Sequence, residues 1–301
     1  MIDGQRTLST EPTDSVFRAE HDRVLARLTR AGLKSTEPIP GSLRDKYAPQ
    51  VVESAISSWR ARMVNEHRSS TVFAALLPQL IEASSDVAVQ SVVLRMAQDE
   101  IHHAVLCGRI VRAFGGSAVA QAEAELPRMA EHRGLAPLER VMRNVMFVGC
   151  LAETVAVGLV SQERELAEEP CVRETLDQIV GDEVTHARFG WQFLGATLGT
   201  LDSAARRRTE EYLRVAFAYL ERREIELLPV SAQPVDELVA QRECLGLCDG
   251  RHARELFYAT VQGVIVPRFE ALGLDAGNAW RRRSERAVAA RDTQSQPQDV
   301  C

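Results

Sequence analysis

Asp99-Glu100-Ile101-His102-His103 and Asp182-Glu183-Val184-Thr185-His186 are the two stretches on which the reading of this chain turns. Both read Asp-Glu-aliphatic-x-His inside long helical patterns. On a helix, residues three apart lie about 60° from one another around the axis, so Glu100 with His103, and Glu183 with His186, each present a carboxylate and an imidazole on one face. One such pair is what an ordinary solvated helix face offers. The second copy changes the reading, because each copy is preceded by another helical segment that carries a carboxylate, Glu66 and Glu153, which stand 34 and 30 residues before Glu100 and Glu183.

Spacing makes this pattern a geometric statement. If the first two helices form a hairpin turning near Ser84-Ser85, Glu66 lies about 18 residues before the turn and Glu100 about 15 after it. At about 1.5 Å per residue the two then sit within one helical turn of the same level. Glu53 and Glu82 miss that level by several turns. A second hairpin turning near Glu169-Pro170 aligns Glu153 with Glu183 in the same way. Glu153 is also the only charged residue between Val145 and Val160 (VMFVGCLAETVAVGLV). A lone buried carboxylate costs several kcal/mol unless something compensates it, either metal or an arginine from elsewhere. One Glu from each of two helices and one Glu-x-x-His from each of two others is the ligand pattern of dinuclear carboxylate bundles.

The composition suits such a bundle. The chain has 301 residues, enough for one large domain or two, with 45% hydrophobic and 5% aromatic residues and a net charge of −6. That charge argues against general affinity for nucleic acid. No apolar run is expected to reach membrane-spanning length, and the N-terminus (MIDGQRTLSTEPTDS) lacks the regions of a signal peptide, so the cytoplasm is the expected location. Six cysteines form no C-x-x-C pair, and Cys244 and Cys248, four apart, read as helix packing rather than zinc ligands.

In order along the chain, residues 1–45 form an N-terminal segment with one amphipathic helix over Val16–Leu33, broken at Pro38-Ile39-Pro40-Gly41. Residues 46–199 form the bundle. Its first helix runs from Tyr47 to about Ile81, with Pro78 bending or loosening its last turns. The second is capped by Asp86 and stops at Gly115-Gly116. Residues 117–137, helix-friendly but punctuated by Pro127, Gly134 and Pro137, carry the chain back along the bundle. The third helix covers about Leu138–Ala167 and the fourth about Cys171–Leu198. Residues 200–285 add helices over 203–227 and Gly250–Leu272, packed on the bundle, and 286–301 read as a disordered polar tail.

These residues resemble the ferritin-like superfamily of dinuclear-metal carboxylate proteins, which includes ribonucleotide reductase small subunits, multicomponent monooxygenases, acyl-carrier-protein desaturases, rubrerythrins and arylamine N-oxygenases. The resemblance covers residues 47–198 and implies an all-α, ferritin-like four-helix bundle with additional N- and C-terminal helices. It implies that Glu66 and Glu153 are terminal metal ligands, that Glu100 and Glu183 bridge, and that His103 and His186 supply one imidazole per ion. It also implies that Asp182 orients His103 and Asp99 orients His186. Three positions depart from particular branches: Cys107 stands where reductases carry a radical tyrosine, Val157 where monooxygenases carry a threonine, and Ile179 where N-oxygenases carry a seventh ligand.

The oxygen-rich donor set suits two iron ions, or a manganese–iron pair, better than zinc or copper. The expected function is a di-iron oxidase or oxygenase that uses O2 to hydroxylate, desaturate or N-oxygenate a small organic substrate with the help of an electron donor. Ala104, Cys107, Phe147, Cys150 and Val157 are the expected cavity walls. The alternatives are a tRNA-modifying hydroxylase, suggested by Arg206-Arg207-Arg208 and Arg281-Arg282-Arg283, and a ferroxidase or rubrerythrin-like peroxidase. Membrane and nucleic-acid partners are not expected, and a homodimer is left open.

Overall fold

A computed structural model describes residues 5–11, 18–29, 39, 43–123, 125–126, 128–227 and 238–285. The expected disordered tail lies outside the described residues, as do Pro38, Pro40 and Gly41 of the expected helix break. Four long helices dominate: α2 (Pro49–Glu82), α3 (Val87–Ala113), α4 (Pro137–Leu166) and α5 (Pro170–Leu198). A shorter α1 (Arg18–Leu28) lies against α3. Beyond the four, α6 (Ser203–Leu227), α7 (Val239–Glu243), α8 (250–271) and α9 (Ala276–Arg281) complete the described chain.

The helix ends follow the local chemistry. The Asp86 carboxylate accepts from the Ala88 N–H at 2.7 Å and starts α3. Gly115, at a φ of 81°, ends it where a side chain would be strained. Pro137 and Pro170 sit in the first turns of α4 and α5, where the missing N–H has no intrahelical partner to lose. Pro78 lies inside α2, which nevertheless continues to Glu82.

α2 packs on α3, α4 on α5, α3 on α5, and α2 on the first half of α4, giving a closed ring of four helices. The end of α3 lies by the start of α2, where the Leu43 N–H donates to Ala113 O. The start of α4 instead lies by the end of α2, through Arg140 to Glu82 and Asn144 to Gln79. The link between α3 and α4 therefore travels the length of the bundle. Part of it is not helical. Val119–Glu123 (β2) pairs antiparallel with Gln5–Ser9 (β1), in a register from Gln5 opposite Glu123 to Ser9 opposite Val119. The chain is thus predominantly helical, with a two-stranded ribbon that the all-α expectation omitted.

Two departures inside the helices bear on the site. α4 contains a π-helical turn, Met146–Ala152, so that the Glu153 N–H donates five residues back to Val148 O. At the same level α4 and α5 nearly touch: a Cβ on Gly190 would stand 2.4 Å from the Gly149 carbonyl carbon. The apolar stretch of α4 does reach membrane-spanning length, with a mean hydropathy of 1.7, which corrects the expectation that no run would. That stretch is 67% buried within the protein, as befits a core helix.

The apolar interior falls into two main clusters. One contains Val72, Phe73, Val93, Met96 and Phe147; the other contains Trp59, Met63, Ala104, Cys107 and Ile110. On α2 the break falls between Met63 and Val72, and on α3 between Ala97 and Ala104. The polar residues of the two motifs occupy that break.

Candidate metal centre

Each of the four long helices delivers its carboxylate to this layer. α2 brings Glu66, α3 brings Glu100 and His103, α4 brings Glu153, and α5 brings Glu183 and His186. All six are buried, with Glu66 the most exposed at 9% and both imidazoles at 0%. Their donor atoms form two groups, each with its atoms within 4.8 Å of one another: Glu66, Glu100, His103 and Glu183, and Glu100, Glu153, Glu183 and His186. Each group could hold a metal ion. Glu100 and Glu183 belong to both, while each group has one glutamate and one histidine of its own.

The imidazoles are oriented rather than merely present. His103 Nδ1 faces Glu183 Oε1 at 3.5 Å, Glu66 Oε2 at 3.6 Å and Glu100 Oε2 at 3.9 Å. His186 Nδ1 faces Glu100 Oε1 and Glu183 Oε2 at 3.2 Å and Glu153 Oε2 at 3.7 Å. Donors about 2.1 Å from one ion, at roughly 90–110° to each other, stand about 3.0–3.4 Å apart, so most of these contacts are near the separations a shared cation would impose. His103 Nδ1 is buried and makes no hydrogen bond, the condition of a lone pair directed at something other than a proton donor.

The far edge of each ring is held by an aspartate. Asp182 Oδ2 lies 3.2 Å from His103 Nε2, and Asp99 Oδ2 lies 3.5 Å from His186 Nε2. Each aspartate is held in turn from one turn earlier on its own helix, Asp99 by Arg95 Nε at 2.6 Å and Asp182 by Gln178 Nε2 at 2.5 Å. A carboxylate only accepts, so each Nε2 donates; His186 Nδ1 likewise donates to Glu183 Oε2 at 3.2 Å, and a cation among the carboxylates would take the place of that inward proton and be ligated by Nδ1.

Electrostatics state the demand for cations. Four carboxylates about 5 Å apart repel by roughly 3 kcal/mol per pair at an effective dielectric near 20. Burial, then repulsion from Glu183, pushes Glu100 up to about 8, and the same two causes raise Glu153 well above the carboxylate range. Burial alone would lower both imidazoles, but the carboxylates around them win and raise both well above their usual range. Burial would also raise Glu183, yet Glu153 and the two imidazoles beside it hold it well below its ordinary value. In short, the layer holds on to protons because it is short of positive charge.

No protein-family model matches the chain, and no curated protein matches it.

A cavity of about 890 Å³ opens on this layer between α2 and α4, with Glu66, Glu100, Glu153 and Glu183 among its lining. Of the expected wall residues, Phe147 lines it. Ala104, Cys107 and Cys150 do not; they are packed into the apolar clusters, and half-buried Val157 is likewise off the wall. The reason is topological: α2 and α3 pack tightly as a hairpin, so open space lies on the far side of α2, toward α4 and the β-ribbon. Val72, Phe73, Val148 and Leu159 take the expected role.

An ion pair between Arg62 and Glu163 joins α2 to α4 along the cavity, with the Arg62 guanidinium 5.1 Å from the centre of the Trp59 ring. Sequence reasoning missed this pair, as it missed Arg95 and Gln178. The usable signal was spacing: Arg95 and Gln178 each stand four residues before their aspartate, extending the internal repeat by one turn.

The two arginine clusters have structural partners. Arg208 binds Glu139 through two nitrogens, Arg206 donates to the carbonyls of Leu272 and Gly273, and Arg283 binds Glu221 through two nitrogens.

Proposed function

We propose that the chain is a ferritin-like, dinuclear iron carboxylate oxidoreductase that uses O2 to oxidise a small organic substrate. The observation that carries this reading is the pair of overlapping donor groups sharing Glu100 and Glu183, set at the floor of a cavity large enough for a small molecule. Glu66, Glu100, His103 and Glu183 would hold one ion, and Glu100, Glu153, Glu183 and His186 the other. Oxygen-rich donors with one imidazole per ion favour iron, or manganese with iron, over zinc or copper. Iron bound there supplies reversible one-electron chemistry able to reduce dioxygen.

The protein's own residues account for the rest. Asp99 and Asp182 fix which imidazole nitrogen faces inward, and Arg95 and Gln178 fix the aspartates. Val72, Phe73, Phe147 and Val148 give the space beside the carboxylates an apolar wall, which disfavours water next to the reacting atoms. The Arg62–Glu163 pair ties the two cavity-forming helices together close to Glu66. With Arg206, Arg208 and Arg283 engaged in internal bonds, the two clusters lend no particular support to a tRNA substrate.

The test is oxygen uptake by anaerobically prepared, ferrous-loaded protein. Wild-type protein is expected to consume O2 in proportion to its bound iron, and the Glu153→Ala protein to have lost that uptake. Full uptake by the variant, or none by wild type carrying two irons per chain, would contradict the reading.

A further inference from the structure

The cavity joins two chemistries. Next to the carboxylate layer its surface is apolar, made by Val72, Phe73, Phe147 and Val148. Along α2, on both sides of Glu66, it is basic. Apart from the four glutamates of the metal layer, the charged residues on its lining are Arg60, Arg62, Arg68 and Arg223 against Glu163 and Glu224. Two metal ions would balance the four glutamates, so the remaining lining carries two more positive than negative charges. The chain as a whole is at −6. A basic aperture on an acidic protein concentrates anions and repels cations.

Two of these arginines have unused binding capacity. Arg60 and Arg68 stand eight residues apart on one stripe of α2, with Val64 between them, facing Val119–Gln121 of β2 across the cavity edge. Arg60 donates from Nε and Nη2 to the carbonyl of Ser117, both at 3.2 Å, and has no carboxylate partner among the described residues. Arg68 Nη1 meets Glu123 at 3.2 Å, but that carboxylate is 70% exposed, where an ion pair is weak, and Arg68 Nε is buried with no hydrogen-bond partner. By contrast, Arg62 already has Glu163. A guanidinium with free donors matches a carboxylate through parallel N–H···O bonds.

We infer that the cavity receives an organic acid, with its apolar body along Val72, Phe73, Phe147 and Val148 beside the metal layer and its carboxylate at Arg60 and Arg68. This rests on the oxidoreductase reading above and narrows it, because amines, which N-oxygenation would require, are disfavoured by the same arginines.

The experiment uses full-length, metal-loaded protein with metal content measured on the same sample, titrated calorimetrically with decanoate, decanol and decylamine. Decanoate is expected to bind at least ten-fold tighter than the other two. In the Arg60→Gln/Arg68→Gln protein that preference is expected to disappear with metal content unchanged, and Arg68→Gln alone should reduce it. Failure of wild type to bind decanoate, equal binding of all three probes, or an undiminished preference in the double variant overturns the inference even when the metal is in place. Wild-type protein that holds no metal overturns the site reading beneath it.

Discussion

At the scale of single residues, Glu153 distinguishes a metal centre from a buried acid with a protein partner. Among the described residues no arginine or lysine pairs with it; its close neighbour is the imidazole of His186. Glu153→Ala is therefore expected to lower metal stoichiometry from two per chain to one, with far-ultraviolet circular dichroism unchanged; metal analysis of the purified variant checks it. Asp182→Asn leaves the inward donors in place but removes the charge behind His103, and metal affinity should fall roughly 10–100-fold, read by competition with a chelator. The six inward residues were legible in the sequence because helix periodicity makes Glu-x-x-His a shared face, and the hairpin turns fix their level. Cys107 and Cys150 were misplaced because periodicity says which face a residue shares, not whether that face meets a neighbour or a void. Arg62 and Glu163 escaped notice because 101 residues separate them and only tertiary packing makes them partners.

At the scale of elements, the π turn in α4 sets the rotation of everything after it. One extra residue in a helical turn rotates the following segment by about 100° relative to regular α-helix. Deleting Cys150, so that the turn closes as regular helix, should swing Glu153 out of line with His186. The expected result is loss of one metal equivalent with little loss of helicity; two equivalents retained would show that the turn does not place the ligand. Gly149 and Gly190 let α4 and α5 approach at this level, so Gly190→Ala should cost about 1–3 kcal/mol of stability through overpacking, measured by urea denaturation. Helix existence and order were readable from apolar periodicity, and so was the long return between α3 and α4. The β-ribbon was not. Val119-Ala120-Gln121-Ala122-Glu123 is built mostly of good helix formers, and its alternate burial of Ala120 and Ala122 becomes visible only once the N-terminal strand lies beside it. The π turn leaves no mark in an apolar run already hydrophobic on several faces.

At the scale of the whole molecule, the carboxylate layer divides the core in two, so the protein's stability should depend on what neutralises that layer. Without metal the sign is set by protons. Glu100 is pushed from an ordinary value of 4.5 to about 8, so the folded state holds a proton that the unfolded state releases above about 4.5. The raised imidazoles add stability that is full below about 6.5 and is lost as pH climbs through their folded values. Glu183, held low, acts oppositely only below about 4.5. Below about 6.5, His102 and His132, which burial pushes down to about 4, work the other way, so metal-stripped protein should lose thermal stability as pH rises from about 6.5 to 8. Added manganese(II), whose ligands must shed protons, should raise the melting temperature more at pH 7.5 than at pH 5.5; differential scanning fluorimetry reads both trends. All of these expectations depend on six side chains from four helices enclosing a pair of cations. Anomalous diffraction at the iron edge from a crystal of iron-loaded protein tests this most directly. Two peaks are expected, one enclosed by Glu66, Glu100, His103 and Glu183 and the other by Glu100, Glu153, Glu183 and His186. Iron bound elsewhere, or a layer in which Glu66 or Glu153 turns away from both imidazoles, would contradict it.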